Sequence, residues 1–235
     1  RDRYNYCPNC GSLMENRFRH EFKYICSYGQ LRNLQCRLSG LIPLDPHAGA
    51  DGIYNIRSLY FDDINDSCKR ENEDGIDNRR KFRIRLYDGN VSVLHLEKKE
   101  KHRGMTKKTA VDIAQTICKD YMHKKIPVYD TNITELEKEL YSQAVMNRML
   151  PKCIVEYERT AFVDKRGNVR ITFDRNISGS DRIEDFLDKT IYKTPVLPEG
   201  QHILEIKYDE FLPQYLAELL EIGTLQQTSF SKYYY

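Results

Sequence analysis

Residues 80–89 read RKFRIRLYDG, and this stretch decides what kind of sheet the chain can build. At the two-residue period of a strand, Phe82, Ile84 and Leu86 form an apolar face, while Lys81, Arg83 and Arg85 form a wholly cationic one. A face turned to solvent ordinarily mixes both signs, because like charges at i and i+2 repel. Three cations in register raise the question of what neutralises them.

The rest of the chain repeats the division. Strands are predicted over 17–26, 53–61, 80–87, 91–99, 153–163, 168–174 and 202–208, with turns at 87–90 (YDGN) and 164–168 (DKRGN) joining two pairs as hairpins. In 17–26, Arg17, Arg19, Glu21 and Lys23 share one face, and Phe18, Phe22 and Tyr24 the other. His95, Glu97 and Lys99 oppose Leu94 and Leu96, and Arg170, Thr172 and Asp174 oppose Val169, Ile171 and Phe173. Tyr157 shares a face with Arg159, and Glu205 with Lys207. Helical periodicity is read in 27–38, in 109–123, in 132–150 with Thr131 or Asn132 as its cap, and in 213–222 with Pro213 in the first turn. Segments 45–52 and 71–78 read as loops. The expectation is one α+β domain dominated by an antiparallel sheet.

Two arrangements satisfy this pattern. An open sheet would carry helices on its apolar face and water on the other, which then should mix both signs of charge with Thr, Gln and Ser. A sheet closed into a barrel would converge the cations on an axis, where unpaired they repel and lose hydration, and an anionic ligand along the axis would remove that cost. Periodicity alone does not report closure.

Composition bounds the rest. A chain of 235 residues with 40% hydrophobic content can bury a sizeable core despite 31% charged residues. No apolar run approaches the 18 or more residues of a membrane helix and no secretion signal is read, so the expectation is a soluble, cytoplasmic chain. A net charge of +2 excludes a polycation of the histone kind and predicts no nucleic-acid partner, so any strong anion site must come from local sorting of charge. Seven scattered cysteines read as reduced thiols. Residues 1–16 form an N-terminal extension whose CPNCG at 7–11 resembles half of a zinc site, but no second CxxC follows; the alternative is a short extension ahead of a start at Met14.

Eight blocks carry a resemblance to a known family: RHEFKY (19–24), RSLYFD (57–62), FRIRLY (82–87), LEKKEKHRG (96–104), YERTAF (157–162), VRITFD (169–174), LEIKY (204–208) and SFSKYYY (229–235). In this order they resemble the signature blocks of the VTC domain, the catalytic domain of the vacuolar transporter chaperone polyphosphate polymerase and its bacterial relatives, within the triphosphate tunnel metalloenzyme superfamily. The resemblance covers 17–235. It implies a closed antiparallel β-barrel tunnel with helices packed outside, lined by Lys and Arg, that binds a nucleoside triphosphate or polyphosphate and holds a divalent metal on an acidic residue.

Residue by residue, the resemblance makes Lys23, Arg57, Arg83, Arg85 and Lys99 tunnel cations, with one of Lys107 and Lys108, the spacing favouring Lys108. It pairs Arg159 with Arg170, places the metal on Glu205, assisted by Glu21 or Glu97, and adds Lys207 and Lys232 to the wall. Arg83, Arg85, Lys99, Arg159, Arg170 and Glu205 are the implied catalytic set. Two departures stand out. Ser229 replaces a lysine that some relatives carry, and Arg19 stands where hydrolytic members of the superfamily have the first Glu of a Glu-x-Glu-x-Lys pattern, which points away from a two-metal triphosphatase.

The residue types suit the implied chemistry. Cations at i and i+2 stand about 7 Å apart on a strand face, close to the reach needed to follow successive phosphates, and arginine's planar fork can bond two phosphate oxygens at once. Phosphoryl transfer asks mainly for alignment and charge neutralisation, so Mg2+ or Mn2+ on Glu205 would suffice without a protein nucleophile. The function implied is transfer of the γ-phosphoryl of ATP to a growing polyphosphate chain or to orthophosphate. The alternatives are a tunnel triphosphatase and a polyphosphate-binding module without turnover. His95 and His102 are expected in structural roles, and any coupling to a membrane would need a partner protein. The oligomeric state is not legible.

Overall fold

The computed structural model describes residues 18–46, 48–49, 51–128 and 133–233. The CxxC of the N-terminal extension, and the cap expected at Thr131 or Asn132, lie outside them.

The described chain forms one antiparallel sheet of ten strands with helices on its convex side. In chain order the elements are β1 (His20–Ser27), α1 (Tyr28–Ser39), β2 (Ile53–Asp62), α2 (Ser67–Glu73), β3 (Arg79–Tyr87), β4 (Leu94–His102), β5 (Met105–Ile113), α3 (Gln115–Met122) and α4 (Glu135–Asn147). They continue with β6 (Leu150–Asp164), β7 (Val169–Ser180), β8 (Thr194–Pro195), β9 (Gln201–Tyr208), α5 (Gln214–Leu219) and β10 (Gln226–Gln227). The strand order is β10-β1-β9-β7-β6-β2-β3-β4-β5, with β8 beside β7.

The closed barrel is not found. The sheet curls far enough for its two flanks to meet, yet β1 and β5 share a single bridge, Arg19 with Thr106. The reason is that β1's outer edge is already occupied. Tyr24 and Ile25 pair with β10, and Thr228 donates its N–H to the Lys23 carbonyl at 2.9 Å. A strand edge has one row of bonding groups. The C-terminal segment takes that row, and β5 is left with Arg19. The α+β class holds; the architecture is an open, strongly curled sheet with a concave trough.

Alternation puts most apolar strand residues on the convex face, although Ile56, Val155 and Ile203 join Phe230 in a smaller cluster on the trough side. Phe82, Ile84 and Leu86 of β3 are 0–1% exposed and pack with Leu59, Leu94 and Leu96 against α3 and α4, through Tyr121, Leu136 and Leu140. Burial of each such side chain contributes about 1.5–3 kcal/mol. Tyr24, Phe173, Leu204 and Ile206 pack in the same way against Leu31 and Leu34 of α1 and Leu216 of α5. Reciprocal capping boxes start both long helices: Ser27 with Gln30 in α1, and Thr134 with Glu137 in α4.

One predicted helix begins as a strand. Helical periodicity spans 109–123, but only 115–122 is helical, and 105–113 is β5. The cause is the hairpin ahead of it. Arg103 (φ 50°) and Gly104 (φ 75°) take left-handed backbone angles in the two-residue turn that pairs His102 with Met105, and this launches β5 along β4. The short α2 lies where a loop had been read at its C-terminal end; the Asp62 carboxylate accepts the Cys68 and Lys69 N–H groups at its start, at 2.9 and 3.2 Å.

Candidate functional site

Cross-strand pairing fixes which side chains face the trough. Lys23 lies opposite Glu205, Glu21 opposite Lys207, and Arg170 opposite Lys207 from the other side. Arg83 lies opposite Glu97, Lys81 opposite Lys99, and Lys99 opposite Lys108. Lys107 falls on the other face of β5. The cations of the opening stretch therefore meet those of β1, β4, β5, β6, β7 and β9 on one surface.

They collect around carboxylates in three groups. In the first, Glu21 accepts two bonds from Lys99 Nζ at 2.5 and 2.7 Å, with Lys23 and Lys207 each 3.5 Å away. Glu205 joins it through Lys207 at 2.8 Å and Lys23 at 3.9 Å. In the second, Glu97 holds Arg83 at 2.6 Å, Lys108 at 3.1 Å and Arg85 at 3.5 Å. In the third, Asp174 takes Arg159 through two bonds of 2.6 and 2.8 Å, and Lys232 at 2.6 Å. Counted over these ion pairs, eight cations meet four carboxylates.

The excess is concentrated where water is scarce. Glu97 and Glu205 are 2% and 4% exposed, and Asp174 is fully buried. Burial would raise the pKa of each, but the surrounding cations reverse it. Arg83, Arg85 and Lys108 hold Glu97 well below the ordinary carboxylate value, and Lys207, Lys232 and Lys23 do the same for Glu205. Glu21 is lowered likewise, chiefly by Lys99 against the opposing pull of burial and of Glu205. The lysines respond in opposite directions. Burial and the repulsion of Lys23 and Lys207, offset by Glu21, push Lys99 down to about 7, and the 31% of its side-chain surface left open to solvent limits that depression. Burial with Lys23 and Arg79 pushes Lys81 down to about 8. Lys232 is raised, because Asp174 outweighs the cost of burial.

Tyrosines brace the arginines. Arg83 donates to Tyr60 Oη at 3.0 Å, and Arg85 to Ser58 Oγ, Tyr157 Oη and Tyr87 Oη at 3.2 to 3.4 Å. Arg170 bonds Tyr54 Oη at 2.9 Å and pairs with Asp45 from the loop before β2. The C-terminal segment closes over one end of the trough: Lys23 donates to the Phe230 carbonyl and Lys81 to Ser231 Oγ, both at 3.0 Å, and Tyr233 bonds Asp62.

Not every expected residue belongs here. Arg57 lies on the convex face, bonded to Glu156 at 2.6 Å and to the carbonyls of Phe186 and Asp188. Its neighbours Leu59 and Phe61 belong to the core, so it pins the 183–188 segment rather than lining the trough. Asp45, Tyr54, Tyr60 and Tyr87 were not assigned to the wall from the sequence, whereas Lys81, Asp174 and Tyr157 were placed on charged faces without a binding role. The available signal was the recurrence of Tyr at the positions that alternate with core residues.

Among the described residues, no group of three or more His, Cys, Asp and Glu side chains is placed to hold a metal. The carboxylates of Glu205 and Glu21 nevertheless suit one, because they share Lys23 and Lys207 and stand beside Thr172, whose buried hydroxyl has no hydrogen-bond partner and which pairs with Glu205 in register. An all-oxygen set of this kind suits a hard divalent cation such as Mg2+ or Mn2+. Glu97 also meets three cations, as Glu21 does, but among the described ion pairs it shares none of them with a second carboxylate. Arg19, at the position of the missing carboxylate, is tied to Asp209 at 2.7 Å.

Known proteins resemble this chain in sequence pattern and in fold. The sequence pattern of the VTC domain matches residues 18–235. No curated relative matches the chain. Among solved structures, a candidate adenylate cyclase from Bacillus halodurans superposes with a TM-score of 0.53 at 14% identity, over 92% of this chain and 94% of that one. A protein from Pyrococcus horikoshii gives 0.47 at 13% identity, over 91% and 94%. The former is a likeness of fold.

Proposed function

The chain belongs to the VTC domain family, and from that premise we propose that it is a metal-dependent phosphotransferase that moves the γ-phosphoryl group of ATP onto a polyphosphate chain held in its trough. The observation that carries this reading is the excess of cations around Glu97, Asp174, Glu205 and Glu21. A protein gains nothing from burying surplus charge unless an anion completes it, and a phosphate chain supplies negative charge all along its length. Arg83, Arg85 and Lys108 would bear on one stretch of the chain, and Lys23, Lys99 and Lys207 on another. Their task is to hold donor and acceptor phosphates in line and to neutralise the oxygens as the bond breaks. Glu205, with Glu21, would hold the divalent ion, which when bound supplies further neutralisation of phosphate oxygens. No side-chain nucleophile is required, since a terminal phosphate oxygen of the acceptor attacks the γ-phosphorus and ADP leaves.

One feature favours transfer over hydrolysis: Arg19, tied to Asp209, offers no metal ligand where a second carboxylate would stand. The test is product analysis with ATP and Mn2+. ADP together with phosphate chains supports transfer; ADP with orthophosphate alone means hydrolysis, and binding without ADP means a storage or sensing module. Glu205→Gln should remove turnover while leaving tripolyphosphate bound, and unchanged turnover would discard the metal assignment.

A further inference from the structure

At the end of the trough away from the C-terminal segment, the wall changes from basic to aromatic. Tyr87, the last residue of β3, contacts Tyr54 with ring centroids 6.1 Å apart and His95 edge-on at 5.9 Å. His95 Nδ1 stands 2.6 Å from Asp112, whose carboxylate is 57% exposed. The Arg85 guanidinium lies 5.8 Å over the Tyr87 ring and donates to its hydroxyl at 3.4 Å, so the shelf begins where the cationic wall ends. At the other end Tyr233 covers Tyr60 with ring centroids 5.5 Å apart and bonds Asp62.

We infer that Tyr87, His95 and Asp112 form the subsite for the nucleoside of a bound nucleoside triphosphate, a purine or pyrimidine ring stacking on Tyr87 and His95 while its phosphates run past Arg85 into the trough. This rests on the triphosphate reading and adds to it the direction in which the nucleotide lies. Stacking on an aromatic ring favours any base without reading its edges. Asp112, an acceptor only when ionised, fixes His95 with the proton on Nδ1 and leaves a second, solvent-facing oxygen to accept from ribose hydroxyls. An inorganic phosphate chain has neither ring nor ribose, so the shelf distinguishes ATP from tripolyphosphate.

The experiment is calorimetric binding of ATP and of inorganic tripolyphosphate to the full chain and to His95→Ala and His95→Phe. ATP affinity should fall on the order of tenfold in His95→Ala and hold in His95→Phe, which keeps a ring, while tripolyphosphate affinity stays within about twofold in both. Retained tripolyphosphate binding also reports that each variant is folded. ATP binding unchanged in His95→Ala, or lost in parallel with tripolyphosphate in either variant, overturns the subsite. Failure of the unaltered chain to bind tripolyphosphate overturns the triphosphate reading itself.

Discussion

Lys99 and Glu21 come from β4 and β1, near opposite flanks of the sheet, and meet through two bonds of 2.5 and 2.7 Å. Together with the Arg19–Thr106 bridge they join the flanks of a sheet whose strand edges do not zip together. The contact that shapes the trough is thus made by residues proposed to bind the ligand.

Lys99 should make phosphate binding depend on proton uptake. Its folded pKa of about 7 lies below the ordinary lysine value of 10.5, with burial as the main cause. Between those values the unfolded chain binds more protons than the folded one, so through this group stability rises with pH across that window. A bound phosphate chain would restore the ammonium. Calorimetry of tripolyphosphate at pH 8, in buffers of different ionisation enthalpy, should therefore show more proton uptake for the unaltered chain than for Lys99→Arg, which stays charged. Equal uptake in both would remove Lys99 from the binding surface.

Glu97 is predicted to be the most sensitive carboxylate for stability. Its removal leaves the buried Arg85 and the largely buried Arg83 repelling each other with the exposed Lys108 beside them, at a cost of roughly 3 kcal/mol. Urea unfolding of Glu97→Gln should show this loss, and saturating tripolyphosphate should return part of it, since an anion bound to the native state replaces the missing charge. A loss that tripolyphosphate does not lessen would mean that the anion does not reach this group.

Arg57 separates wall from scaffold. Replacing it with Ala should destabilise the fold by about 2–4 kcal/mol, because two backbone carbonyls lose their partner and Glu156 is left with Lys193 alone. Affinity for tripolyphosphate, measured below the unfolding range, should stay within about twofold. A specific loss of affinity would place this side chain at the ligand after all.

The alternation in six strands was legible in the sequence, and with it the cationic face of Lys81, Arg83 and Arg85. Three things were not. Periodicity says which residues share a face but nothing about what pairs with an edge, so the occupation of β1 by β10 could not be read. In β5, Thr106, Lys108, Ala110 and Asp112 alternate with Lys107, Thr109, Val111 and Ile113, and neither set is apolar enough to look like a strand. Around Arg57 both faces of β2 are rich in Tyr, Ile, Leu and Phe, so the inward side is decided only by pairing with β3 and β6. Resemblance to the VTC blocks supplied most of the wall residues, and it misplaced Arg57 because order along the chain does not specify a face.

The surplus charge of the trough is tested most directly by the salt dependence of tripolyphosphate binding to the unaltered chain and to Arg83→Gln/Arg85→Gln. Affinity for the unaltered chain should fall steeply between low and physiological ionic strength, and the double variant should bind more weakly with a shallower slope. A flat response to salt, or the same slope in both proteins, would contradict a phosphate chain lying against these arginines.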